Sequence, residues 1–148
     1  MNKNIKMDTL TKSLVIIVII VHLMFFILES IFWMNPLVYN ILLNFLNNPV
    51  KLDYPTQAIV LKNLFINQGF YNLFLAFAGL TGLYQIKNAK YVVSYTLLLF
   101  LCFAGFGAGI ILACSTKAYI LAIFQGIPAL IAFLRIYPFF KRALITNN

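Results

Sequence analysis

Four apolar stretches set the terms on which this chain can fold: Leu14–Met34, Leu64–Tyr84, Tyr91–Cys114 and Ala118–Tyr137. Each is close to the roughly 20 residues that an α-helix needs to cross a hydrocarbon core about 30 Å thick. The spacing predicts an all-α, polytopic membrane protein in which four transmembrane helices form an antiparallel bundle. Composition agrees: 63% of residues are hydrophobic and 9% charged, whereas a soluble domain has about 45–50% apolar and about 25% charged residues. With 148 residues, the chain has room for one domain.

The connections sharpen this reading. Gln85–Lys90 and Ser115–Lys117 are short, which makes consecutive helices antiparallel neighbours. The first connection, Asn35–Asn63, is long and is punctuated by Pro36, Pro49 and Pro55. Inside it Leu37, Ile41, Leu42, Phe45 and Leu46 share one helical face, and Asn40, Asn44, Asn47 and Asn48 the other. That pattern reads as a short helix lying in the interface, with a cap over the bundle as the alternative. The first apolar run follows Lys3, Lys6 and Lys12 as a signal peptide would. It is too long, lacks a small-residue cleavage site and runs into Glu29 and Trp33, so it reads as a retained span.

The formal charge of +8 does not point to nucleic acid, because the basic residues sit singly at the ends of apolar runs. They divide between two sides instead. Lys3, Lys6, Lys12, Lys87, Lys90, Arg135, Lys141 and Arg142 fall on one side, and Lys51, Lys62 and Lys117 on the other. By the positive-inside rule both termini are expected in the cytoplasm, with the protein in a bacterial cytoplasmic (inner) membrane. Cys102 and Cys114 fall far apart along a single helix, so a disulfide between them is geometrically excluded. The one His, two Cys and three acidic residues do not cluster, and neither a metal nor a cofactor is expected.

Polar residues inside the apolar runs carry the functional argument. The second run opens with "FINQGFYNLF", residues 65–74. There Gln68, Tyr71, Asn72, Leu75, Gly79 and Gly82 form a stripe at three- and four-residue steps, while Asn67 points about 100° away from Gln68. The first run aligns His22, Phe26, Glu29 and Trp33. In the fourth run Gln125 shares a face with Ala118, Ala122, Ala129 and Ala132, and Pro128 follows one turn later. Gly105 and Gly109 lie in the third. Given the alternating helix directions, Glu29, Gln68, Tyr71, Asn72 and Gln125 converge in the outer half of the bundle, with His22 below.

Amides and Tyr in membrane helices commonly serve as interhelical glue, at about 0.6 kcal/mol each, and Trp33 at a helix end is ordinarily an interface anchor. Glu29 differs. An acid at that depth costs about 2.5–3.5 kcal/mol, and no Lys or Arg lies in a span core to pair with it. His22 and Glu29 are seven residues apart, about 10 Å along a helix axis, so they cannot form a directly bonded dyad.

The pattern of His22, Glu29, Trp33 and Pro36, with "NQGFYNLFLAFAGL" at 67–80 and "QGIPALIAFL" at 125–134, resembles a bacterial family of small four-helix membrane proteins, domain of unknown function thirteen-oh-four. The resemblance covers the chain from the first helix to the fourth. The "AGFGAGIILACST" segment of the third helix matches more loosely, and the first loop is longer and richer in Asn. The resemblance implies the four-helix architecture and singles out the same residues without naming a chemistry.

Three functions follow from these residues. One is an intramembrane pocket for a lipid or other hydrophobic small molecule, with an enzyme of isomerase or epimerase type as its catalytic form. In it Glu29 and His22 would be the catalytic pair, and Trp33, Asn67, Gln68, Tyr71, Asn72 and Gln125 would line the pocket. The second is a proton-coupled transporter subunit, expected as a homo-oligomer because four helices make a thin pathway. The third is an accessory membrane protein in which the polar groups are glue.

Overall fold

The computed structural model describes residues 6–47 and 50–147. Lys3, Asn48 and Pro49, used in the charge count and the loop reading above, lie outside the described residues. The chain is all-α, with no strand among those residues. Helix α1 (Thr9–Phe26) is capped by Asp8, whose carboxylate accepts from the Thr11 N–H at 2.8 Å. It continues into a π turn, Ile27–Ile31, in which the Phe32 N–H donates to Ile27 O at 2.9 Å. A short helix α2 (Pro36–Leu46) starts on an Asn35 cap, with Pro36 in the first turn where its missing N–H costs nothing. It stops at Asn47, which adopts a left-handed conformation with φ 47°. The long helices α3 (Tyr54–Lys87), α4 (Tyr91–Ser115) and α5 (Tyr119–Asn147) complete the chain.

Two expected boundaries are corrected. Helix α3 begins at Tyr54 rather than Leu64, because Asp53 caps the Thr56 N–H at 3.1 Å and Pro55 occupies the first turn instead of breaking the chain. Its 34 residues correspond to a rod about 51 Å long. Helix α5 runs on past Tyr137 to Asn147, with Pro128 and Pro138 both inside it.

Three segments are long and apolar enough to cross a membrane: Thr9–Ile31, Tyr91–Ser115 and Tyr119–Thr146. The second expected span exists as a helix, but α3 is not among the three. Asn67, Gln68, Tyr71, Asn72 and the glycines at 69, 79 and 82 dilute its apolar character.

Helix α1 packs on α3 and α5, and α4 packs on the same two, closing a ring. Val15, Val18, Ile19, Ala76, Leu98 and Leu101 fill its centre. Glycines set the closest approaches. A Cβ on Gly79 would lie 2.6 Å from Leu101 Cδ2 and 2.7 Å from Ile19 Cγ1. A Cβ on Gly109 would lie 2.8 Å from Gly126 Cα and 2.9 Å from Ala122 O, so α4 and α5 meet backbone to backbone. Ala122, Ala129 and Ala132 of α5 are buried, as is Ala118 just before it. Outward, large apolar side chains such as Ile20, Phe77, Phe103 and Phe124 are exposed. Cys102 is buried, Cys114 is exposed, and both are free.

Helix α2 packs on α3 as a cap and does not lie apart from the other helices. Its buried residues are Tyr39, Leu42 and Leu43, grouped with Trp33 and Ala58, whereas Leu37 is 70% exposed. The Lys117 N–H donates to Leu46 O at 3.5 Å, joining the end of the cap to the α4–α5 turn. At the opposite end Arg135 holds α5 to the start of α1. Its Nε donates to Thr11 Oγ1 at 3.0 Å, and its guanidinium lies 3.2 Å from Asp8 Oδ2.

Candidate functional site

Beneath the α2 cap is a cavity of about 480 Å³. Its polar wall comes from four elements: Glu29 on the π turn, Gln68 and Asn72 on α3, Ser115 on α4, and Gln125 on α5. Leu42 and Leu46 of α2 form the roof. Leu64 and Phe65 of α3 face Ile111 and Leu112 of α4 across it, and Ala108 leaves room where a larger side chain would intrude. An apolar cavity of this size with a few convergent polar groups is the usual form of a small-molecule site.

The π turn presents Glu29 to the cavity. Such turns arise where packing overrides the regular helical ladder, and they are frequent at functional sites. Here the packing is visible. Ser30 Oγ donates to Ile66 O at 2.9 Å, a backbone group of α3. Gly69 allows this approach, because a Cβ there would overlap Ser30 Oγ and lie 3.1 Å from Glu29 Cβ. Glu29 is 8% exposed, and its Oε2 accepts from Asn72 Nδ2 at 2.9 Å. The same amide donates to Gln68 O at 3.2 Å, so both Asn72 N–H groups are used. Glu29 Oε1 has no partner among the described residues. Gln125 is 6% exposed, and its side-chain amide likewise makes no hydrogen bond among the described residues.

The remaining sequence candidates lie elsewhere. Tyr71 is 63% exposed and Asn67 is also exposed; neither lines the cavity. Gln68 already stands at the rim of α3, and a residue beside it on the outer side turns away from the other helices. Trp33 is 1% exposed and is a packing residue rather than a surface anchor. Its indole N–H donates to Ala58 O at 2.8 Å, and its ring stacks on Phe65 with centroids 3.7 Å apart. His22 is wholly buried but does not line the cavity. Its Nδ1 lies 2.8 Å from Val18 O, and a carbonyl can only accept, so Nδ1 carries the proton. Nε2 has no partner and faces Gly105, where a Cβ would come within 3.3 Å of it. With Nδ1 tied to its own helix and Nε2 against α4, the imidazole is not placed to act on a molecule beside Glu29.

Ser30, Gly69 and the capping leucines were absent from the sequence candidates. A glycine directly between Gln68 and Phe70 was the available signal for the close approach at Gly69. No group of three or more His, Cys, Asp or Glu residues that could hold a metal occurs among the described residues.

Residues 16–137 match the profile of a family described as "Protein of unknown function (DUF1304)". The match takes in all five polar residues of the cavity wall. Neither a curated protein nor a solved structure matches the chain.

Proposed function

This chain belongs to the DUF1304 family of proteins of unknown function, and from the form of its cavity we propose that it is a small integral membrane protein that binds a lipid or other hydrophobic small molecule within its helix bundle. In this reading α3 is the fourth span despite its diluted hydropathy. Its polar and small groups Asn72, Gly79 and Gly82 are buried, while Phe70, Phe74, Phe77 and Leu80 point outward. A helix whose polar side packs on protein can cross a bilayer without being apolar all round. The charge distribution then puts both termini in the cytoplasm of a cell whose cytoplasmic membrane holds the protein.

The observation that carries the reading is Gln125. An unbonded amide costs about 1–3 kcal/mol where water does not serve it; this one bonds to none of the described residues and is open to the cavity it shares with Glu29 Oε1, where a bound molecule can reach it. Groups that serve only as glue between helices bond to each other; Glu29 does so through one oxygen only, and Gln125 bonds to none of the described residues. A bound molecule that supplies the missing partners removes the cost. Acid–base chemistry on such a molecule would fall to Glu29 alone, since His22 lies outside the cavity wall.

The test is to extract the protein directly from membranes into polymer nanodiscs and identify co-purifying small molecules by mass spectrometry. A molecule in near-stoichiometric amount is expected with the wild type. Gln125→Leu and Ala108→Phe should reduce or eliminate it while helical content and melting temperature are retained. If wild type and folded variants carry the same mixture of lipids, the polar groups are glue and the accessory reading replaces this one.

A further inference from the structure

We infer that the polar end of the cavity is built for an uncharged hydroxyl group, so that the ligand class is a long apolar alcohol rather than a fatty acid, an anionic phospholipid or an amine. This rests on the cavity being a binding site, as proposed above.

The first argument is charge. No Lys or Arg lines the cavity, and Lys62 and Lys117, which lie close in the chain to lining residues, are exposed outside it. An anionic head group would enter a low-dielectric space with no cation to meet it and with a carboxyl group already there. The second argument is hydrogen-bond inventory. Asn72 has spent both N–H groups, on Glu29 and on Gln68 O. Glu29 Oε1 remains as an acceptor and Gln125 offers both a donor and an acceptor, while the Gln68 side chain sits exposed at the rim and the Ser115 hydroxyl already donates to Ile111 O at 2.7 Å. A hydroxyl donates once and accepts, which matches one oxygen and one amide. An ammonium group brings three donors and no acceptor, leaves the Gln125 N–H groups unpaired, and needs a dehydrated ion pair with Glu29. The third argument is the walls. Leu64, Phe65, Leu112 and Leu121 offer a hydrocarbon tail only apolar contact.

The protein contains its own reporter. Trp33 is the only tryptophan and stacks on Phe65, a wall residue, so occupancy of the cavity should alter its fluorescence. The probes are dodecanol, dodecanoate and dodecylammonium, which share one tail, titrated into wild-type protein in nanodiscs at a pH where the acid and the amine are both ionised. Dodecanol should give a saturable change that Ala108→Phe abolishes and that Gln125→Leu weakens about tenfold. Glu29→Gln keeps one oxygen, which Asn72 occupies, and puts an N–H2 where the open acceptor stood, so it should weaken dodecanol binding about tenfold, as Gln125→Leu does. Saturation by dodecylammonium alone, lost in Glu29→Gln, overturns the hydroxyl assignment and leaves the binding site standing. Saturation by dodecanoate alone does the same. A dodecanol signal that neither Ala108→Phe nor Gln125→Leu alters places the alcohol elsewhere and also overturns it. If none of the three saturates, both the assignment and the binding reading fail.

Discussion

Asn72 Nδ2 lies 2.9 Å from Glu29 Oε2 and 3.2 Å from Gln68 O, so a single amide ties the π turn after α1 to its own turn of α3 and holds one carboxyl oxygen while the other stays open to the cavity. Removing the amide and removing the ionisable group should therefore have opposite effects. Asn72→Leu strips Glu29 of its hydrogen-bond partner among the described residues and should lower stability by about 1–3 kcal/mol. Glu29→Gln keeps an oxygen for Asn72 and removes an ionisable group from an apolar setting, so stability should hold or rise. Melting temperatures of both variants in detergent give the comparison. A Glu29→Gln protein as unstable as Asn72→Leu would mean that the carboxylate itself holds the turn to α3.

The cavity depends on the approach at Gly69, where any side chain would overlap Ser30 Oγ. Gly69→Leu should push the π turn off α3 and lower both melting temperature and ligand occupancy. Phe103→Leu, at a position 65% exposed on the outer surface of α4, should be nearly neutral because lipid or detergent refills the space. Equal losses for the two would show that this surface packs on protein.

Much of this arrangement was legible in the sequence, for a physical reason. Glu29, Gln68, Asn72 and Gln125 are each costly in an apolar run, and helical periodicity with alternating directions is enough to bring them to one depth. Tyr71 shows the limit of that argument. It lies three residues from Gln68 and one from Asn72, on the outer edge of the stripe, and periodicity alone does not say where the inner face ends. The π turn was not legible, because "ILESI" contains no Pro or Gly to break a helix; the turn depends on Ser30 reaching Ile66 O on α3. The start of α3 was legible but misread. Asp53 followed by Thr56, with Pro55 between them, is a helix-start signal, but a proline between two polar stretches is equally a mark of a loop.

Two glycines in one helix separate packing from propensity. Nothing lies within 4 Å of a Cβ built on Gly107, whereas one on Gly109 would lie 2.8 Å from Gly126 Cα. Gly107→Ala should be neutral or stabilise by up to about 1 kcal/mol, the difference in helix propensity. Gly109→Ala should destabilise, because the obstacle is the backbone of α5 and cannot rotate away. The check is melting temperature of the two single variants side by side.

The Asp8–Arg135 contact adds a pH dependence outside the cavity. The Asp8 carboxyl is held below its ordinary value first by the Thr11 N–H, which burial opposes, and then by the Thr11 hydroxyl and Arg135. A group more acidic in the folded state contributes stability above its unfolded value and loses it as pH falls through the folded one. The side chains of Arg135 and Asp8 are 39% and 45% exposed, so the ion pair itself should contribute no more than about 1 kcal/mol. Asp8→Asn should therefore melt slightly below wild type at neutral pH, and the gap should close in acid below the ordinary carboxylate range. A gap that widens in acid would show that the sign is wrong.

The heaviest prediction concerns α3, whose mean hydropathy falls short of a span although Phe70, Phe74, Phe77 and Leu80 face outward beside the exposed Asn67, Gln68 and Tyr71. If α3 crosses the membrane, Lys51 before it and Asn88 after it lie on opposite sides. If it does not, the two lie on the same side, and Gln68, Asn72 and the open oxygen of Glu29 are reached from water rather than from lipid. Reporter fusions that are active only in the cytoplasm, or only outside it, can be placed at each position with the rest of the chain intact. Opposite signals are expected, with Asn88 cytoplasmic because Lys87 and Lys90 flank it. Matching signals would leave three spans, those whose apolar character is sufficient by itself, and would turn the cavity into a water-facing cleft in which a charged ligand carries no desolvation penalty.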